Sequence, residues 1–144
     1  MCRLYVNLYV DTMHKGKHNS GKGKKPFPVM LLSAAREELF ALSAQNRAEF
    51  IAAIDEFEAY GPGSLLTDTD KIYGNMFELR AQSASYWLRG FYFHYHQGLW
   101  IITHIFAKKT NKTPKANIAT GLNRYALFIA EQEMQSQEND HEKP

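Results

Sequence analysis

The stretch "KIYGNMFELRAQSASYWLRGFYFHYHQGLWIITHIFAKK", residues 71–109, decides the fold. It divides into three runs rich in aromatic and β-branched residues, the composition that strands prefer. The first run, 71–81, alternates, with Phe77 and Leu79 on one side and Glu78 and Arg80 on the other. The second, 85–97, places Arg89, Phe91, Phe93 and Tyr95 on one face and Tyr92, His94 and His96 on the other. Gln97-Gly98 reads as a tight hairpin turn. The third run, 99–109, sets His104, Phe106 and Lys108 on one face and Ile105 and Lys109 on the other. The reading is a three-strand antiparallel meander.

Upstream the period changes. "VMLLS", residues 29–33, reads as a short strand ending at Ser33, which can cap a helix with Glu37 and Glu38 in its first turn. Leu39 and Leu42 stripe that helix. Phe50, Ile54 and Phe57 recur at helical spacing until Gly61-Pro62-Gly63 breaks the pattern. Downstream, Thr113 can cap a helix with Pro114 at its first position, and Ile118, Leu122, Tyr125 and Ile129 form its apolar face. Gly121 inside that helix costs ~1 kcal/mol relative to Ala. The fold expected is α+β: a short N-terminal strand, a helical hairpin, the meander and a C-terminal helix, with the helices packed on one sheet face.

With 144 residues and 44% hydrophobic content, the chain fits one globular domain. The single cysteine, Cys2, excludes an internal disulfide framework and a multi-cysteine zinc site, which fits a reducing compartment. No run is apolar enough to span a bilayer, and Asn7 and Asp11 interrupt any signal-like stretch, so a cytoplasmic location without membrane contact is expected. Net charge is +2, unevenly spread. Residues 1–28 carry six Lys/Arg against one acid, 29–130 ten against nine, and 131–144 one against five. We therefore divide the chain into a flexible basic leader (1–28), a domain (29–130) and a polar acidic tail (131–144) that is frayed or disordered. Met30 offers an alternative start.

"HIFAKKTNKTPKANI", 104–118, gathers four lysines where a strand hands over to a helix. Backbone N–H groups near a helix N-terminus favour an anion there. Arginines grip phosphate with paired donors and lysines add point charge. Cations beside aromatic rings that stack on bases form an RNA-binding surface. From composition alone the plainer reading ranks first, with Arg80 paired to Glu78 or to a helix carboxylate and the lysines solvated. His94, His96 and His104 raise the question of zinc, but no acid or cysteine completes a shell, so neither metal nor cofactor is expected. His104 is the better candidate for moving a proton. Neither a nucleophile elbow nor a glycine-rich phosphate loop is present.

Read together, Lys71, Gly74, Glu78-Leu79-Arg80, Arg89, His104, Phe106, Lys108-Lys109-Thr110 and Lys112-Thr113-Pro114 form a pattern. It resembles the HigB-like, phage-derived branch of the RelE/ParE toxin superfamily over about residues 29–130. Two features depart from that branch: Leu88 stands where a tyrosine is usual, after Tyr86 and Trp87, and the basic leader is atypical. The resemblance implies a type II toxin that cuts mRNA on the ribosome without metal and is silenced by a cognate antitoxin, a helix-turn-helix protein. In that chemistry the RNA 2′-hydroxyl attacks the adjacent phosphorus. Carried over residue by residue, Arg80, Arg89 and Lys108 would stabilise the phosphate, His104 would transfer the proton, and Lys71, Lys109 and Lys112 would bind RNA. Two rivals remain: a ParE-like gyrase poison, and a non-enzymatic phage-derived protein that binds nucleic acid or an antitoxin.

Overall fold

The computed structural model describes residues 5–6, 25–64, 67–96 and 98–142. Most of the expected leader, Cys2, Gln97 and the last two residues lie outside them. The elements run β1 (Tyr5–Val6), β2 (Val29–Leu32), α1 (Ser33–Ala41), α2 (Ala44–Tyr60), β3 (Thr69–Tyr73), β4 (Met76–Gln82), β5 (Trp87–Tyr95), β6 (Leu99–Lys108) and α3 (Lys115–Glu142). They form one mixed sheet in the order β1-β2-β6-β5-β4-β3. β2 lies parallel to β6, and the other pairings are antiparallel.

The α+β class holds, but the meander has four strands rather than three. What reads as a single run from Lys71 folds back at Gly74, whose φ of +54° suits glycine, so Thr69–Tyr73 becomes an edge strand. The alternation that defines the run is confined to Phe77–Arg80, and the turn lies just before it, between Ile72-Tyr73 and Met76-Phe77. The helical hairpin leaves β2, crosses one face of the sheet and enters β3 at the far edge, from which the meander returns strand by strand to place β6 beside β2.

Nor do all helices share one face. Residues of α1 and α2 (Ala35, Leu39, Phe50, Ile54, Phe57) pack with Leu79, Leu88, Tyr92, Ile102 and Ile105. On the opposite face α3 contributes Ile118, Leu122, Tyr125 and Phe128, which pack with Met76, Phe91, Phe93 and Ile101. Gly90 lets Phe50 lie against the sheet, since a Cβ there would sit 2.5 Å from the phenyl Cζ.

Two caps differ from expectation. Ser43, not Ser33, accepts from a helix N–H, that of Asn46 at 3.2 Å; Ser33 is already helical. Pro114 rather than Thr113 opens α3, its carbonyl accepting from Asn117 and Ile118. Residues 131–142, expected to fray, continue α3: Glu, Gln and Met are good helix formers, and no Gly or Pro interrupts them before Pro144.

Candidate functional site

Pairing across β4, β5 and β6 builds a grid on the face that α3 partly covers. One row is Glu78, Phe91, His104; the next is Arg80, Arg89, Phe106; the last is Gln82, Trp87, Lys108. β6 keeps this register through an irregularity: Phe91 pairs with His104 and Tyr92 with Ile102, leaving Thr103 as an extra residue. The bulge turns His104, Phe106 and Lys108 towards the same face as Ile101.

Arg89 was expected on an open surface, yet it is 1% exposed. Its Nε lies 3.2 Å from Glu78 Oε2, in a pair buried on both sides. Its Nη2 donates to the Asn111 side-chain oxygen and, at 3.3 Å, to the Asn111 carbonyl. Thr113 Oγ1 donates to Glu78 Oε2 at 2.8 Å. The lysine-rich loop thus folds over the ion pair, Asn111 bonding the arginine and Thr113 the carboxylate. Burial lowers the Arg89 pKa, Glu78 opposes that, and Arg80 adds to it.

Arg80 stays accessible. Its Nε and Nη2 both donate to Asp68 Oδ1, at 3.1 and 2.7 Å, and Nη1 lies 3.7 Å from Asp70. Burial works against its charge, but the Asp68 bonds and the surrounding carboxylates raise its pKa above the ordinary value. Between these arginines opens a cavity of about 220 Å³, lined by Asp68, Arg80, Ala81, Gln82, Trp87, Arg89 and Asn111. The Lys108 amine beside this row is buried without a hydrogen-bond partner. Burial and the nearby Arg89 hold its pKa below that of an ordinary lysine, with Glu78 opposing.

His104 occupies a different environment from the one its strand position implies. It is 8% exposed and lies beneath α3. Its Nδ1 is 3.0 Å from Glu38 Oε1, and its Nε2 is 2.9 Å from Asn117 Nδ2. Both contacts are satisfied when Nδ1 donates to Glu38 and Nε2 accepts from the amide. Glu38 also accepts from Arg124 Nη1 at 2.9 Å and from the Ile105 N–H at 3.0 Å. Burial raises the Glu38 pKa, but these bonds outweigh it and hold the carboxyl below the usual range. The imidazole is therefore a structural tie between α1, β6 and α3, and it does not line the cavity.

Of the remaining sequence candidates, Lys71 pairs with Phe77 and so lies on the α2 side of the sheet, away from the arginines. Lys112 is exposed in the loop, and Lys109 Nζ sits 5.5 Å from the Tyr86 ring centroid. His94 stacks on Trp100 at 4.3 Å on the face opposite His104, so the three histidines do not converge. Among the described residues no group of three His, Cys, Asp or Glu is placed to hold a metal ion. Sequence reasoning missed Asp68, Asn111, Glu38, Asn117 and Arg124. Only Asn111 carried a signal, as the polar tip of the KKTNKTP loop.

The family model described as Phage derived protein Gp49-like (DUF891) matches residues 37–126. The chain belongs to the Gp49-like family. That match covers all three rows of the grid and the loop over Arg89. The Gp49-like family sits within the RelE/HigB-like toxin superfamily, so the resemblance read from the sequence holds at that broader level. No curated protein matches this Gp49-like chain. No helix among its described residues is long and apolar enough to cross a membrane.

Proposed function

We propose that this Gp49-like protein is the toxin of a type II toxin–antitoxin pair, of the HigB-like kind, and that it cuts mRNA on the ribosome in the cytoplasm. The observation that carries the reading is the convergence of Arg80 and Arg89 around a cavity walled by Trp87, with Lys108 paired to Trp87 in the same row of the sheet, inside the region the family model matches. In this reading Arg80 exchanges Asp68 for a substrate phosphate, because it is the arginine that solvent reaches. Arg89 supplies fixed positive potential behind it. The 2′-oxygen bonds to phosphorus as the P–O5′ bond breaks, and the departing 5′-oxygen takes a proton from water, giving a 2′,3′-cyclic phosphate and a 5′-hydroxyl. Lys108 is the group to take the proton from the 2′-hydroxyl: it lies in the row beside Arg89, and burial and that arginine hold its pKa below that of an ordinary lysine. That role passes from His104 to Lys108 because both imidazole nitrogens are engaged. Lys109 and Lys112 hold the RNA backbone. A helix-turn-helix antitoxin would silence the toxin by covering this face.

The test is cleavage of translated mRNA by the purified chain with and without ribosomes, mapping the ends produced. Ribosome-dependent cuts that leave 2′,3′-cyclic phosphate and 5′-hydroxyl ends, and that fall ~10²–10³-fold in Arg80→Ala, are expected. Intact mRNA with inhibited DNA supercoiling would favour the gyrase poison instead. RNA binding without cuts would favour the non-enzymatic reading.

A further inference from the structure

We infer that the cleft between the β5–β6 hairpin and the far end of α3 is a binding site for an arginine-bearing peptide segment of a partner protein. The site is separate from the arginine cavity and independent of the ribonuclease reading: Tyr95 lines the cleft, Trp87 lines the cavity, and they stand at opposite ends of β5. The stripe of α3 that meets the sheet runs Ile118, Leu122, Tyr125 and Ile129, at spacings of four and three. The next two positions of that stripe are Gln132 and Ser136. Its chemistry turns polar there, yet α3 continues to Glu142. Between this polar stretch and the hairpin lies a cleft of about 430 Å³, with Tyr95, His96, Ile129, Gln132, Glu133 and Ser136 in its lining.

An arginine side chain matches that lining part by part. Its methylene stem suits Ile129, and its guanidinium face suits the half-buried Tyr95 ring, which Phe128 holds edge-on at 5.1 Å with His96 beside it at 4.0 Å. The exposed Glu133 carboxylate supplies the opposite charge. Gln132 Nε2 is buried with no hydrogen-bond partner, a cost that a carbonyl of the peptide backbone would remove. The surrounding charge favours a basic occupant, because from Tyr125 to the end of α3 the sequence has five acids and no lysine or arginine. Lysine carries the charge without a planar face, so arginine fits better. A nucleic-acid strand would meet like charge here.

The probe is the blocked pentapeptide Gly-Gly-Arg-Gly-Gly, titrated into the isotope-labelled full chain and followed by NMR. Its citrulline counterpart keeps the shape of the side chain and loses the charge; its lysine counterpart keeps the charge and loses the plane. The arginine peptide should shift the resonances of Tyr95, Gln132 and Ser136 and bind ~10-fold more tightly than the citrulline peptide. The lysine peptide should fall between them, ~3-fold weaker than arginine. Glu133→Gln, a change at an exposed helix position, should leave the melting temperature unaltered and bring arginine down to the citrulline level. Equal binding of the arginine and citrulline peptides, or undiminished arginine binding in the folded Glu133→Gln variant, would overturn the inference. So would shifts confined to the acidic end of α3 with none at Tyr95 and Gln132, which would leave a charged tail and no site. Concentration-dependent broadening at the cleft without peptide would make the occupant a second copy of the chain and likewise overturn it. Presence or absence of mRNA cleavage bears on the ribonuclease reading alone.

Discussion

Arg89 shows how burial changes the meaning of a residue. Mid-strand among aromatics, an arginine reads from sequence as a cation on an open catalytic face, so Arg89→Ala would be expected to fold and lose only activity. With Glu78 beside it and Asn111 over it, the guanidinium is part of the interior. Removing it strands a buried carboxylate. We expect Arg89→Ala to lose ~3–5 kcal/mol, measured by denaturant unfolding. Replacing both partners, in Glu78→Gln/Arg89→Met, should recover most of that loss while cleavage stays low. Unimpaired stability in Arg89→Ala would mean the pair contributes nothing to folding. Lys108 gives a second residue-scale test, with a defined sign. Its folded pKa lies below the unfolded value of 10.5, so the unfolded chain binds more protons between the two. Stability therefore rises with pH through that interval. Lys108→Met should raise the melting temperature by a few degrees at pH 7, and the gain should shrink as pH approaches 10.5. A gain that does not vary with pH would place the effect in packing rather than in the charge.

At the scale of elements, Gly121 is the contact that lets α3 approach the sheet. A Cβ there would lie 2.7 Å from Phe91 Cδ2 and 3.1 Å from Met76 Sδ, and the Gly121 carbonyl accepts from Thr103 Oγ1 at 3.2 Å. Helix propensity alone favours Gly121→Ala by ~1 kcal/mol. Overpacking against a buried ring costs ~1–3 kcal/mol, so we expect a net loss, read as a lower denaturation midpoint. A stabilised variant would show that α3 has slack to move outward. The same element marks what was legible in the sequence. The order of the main helices and of the three strands read as a meander followed from periodicity, a local property; that Arg80 and Arg89 share a face depends on the register of β4 against β5, which alternation within each strand leaves open. The edge strand β3 was hidden because its five residues, three of them polar and mostly exposed, carry little strand signal of their own before the turn at Gly74-Asn75. The burial of Arg89 and the tie from His104 to Glu38, 66 residues away, depend on where the loop and α3 land, which no local pattern encodes.

For the whole molecule, the question is where the folded unit begins. The boundary drawn from sequence at residue 29 falls within a set of contacts. The Phe27 N–H donates to the Glu58 carbonyl at 3.1 Å, its ring fills the space that a side chain at Gly61 would need, and the Trp100 N–H donates to the Pro28 carbonyl at 3.0 Å. The Glu58 carboxylate is buried, accepting from Lys25 Nζ and from the Val29 N–H, each at 2.9 Å. Burial raises its pKa above 4.5 despite these partners, so its charged form already costs stability, and that cost appears as pH rises through the folded value. Two shortened chains test this, both lacking β1; the shorter also loses the Phe27 and Pro28 contacts, so the Glu58 share is read from the pH dependence of their difference. One starting at Lys25 keeps every Glu58 partner; one starting at Met30 loses Lys25 and the Val29 N–H. The second should be less stable at pH 7 by about 3 kcal/mol, the low end for breaking a buried pair because Lys25 is partly exposed. Protonation relieves the stranded carboxylate, so the difference between the two chains should narrow as pH falls towards 4.5. Glu58→Gln in the shorter chain should recover part of the neutral-pH loss. If the two chains unfold together at every pH, residues 25–29 lie outside the cooperative unit, and the domain begins at Met30.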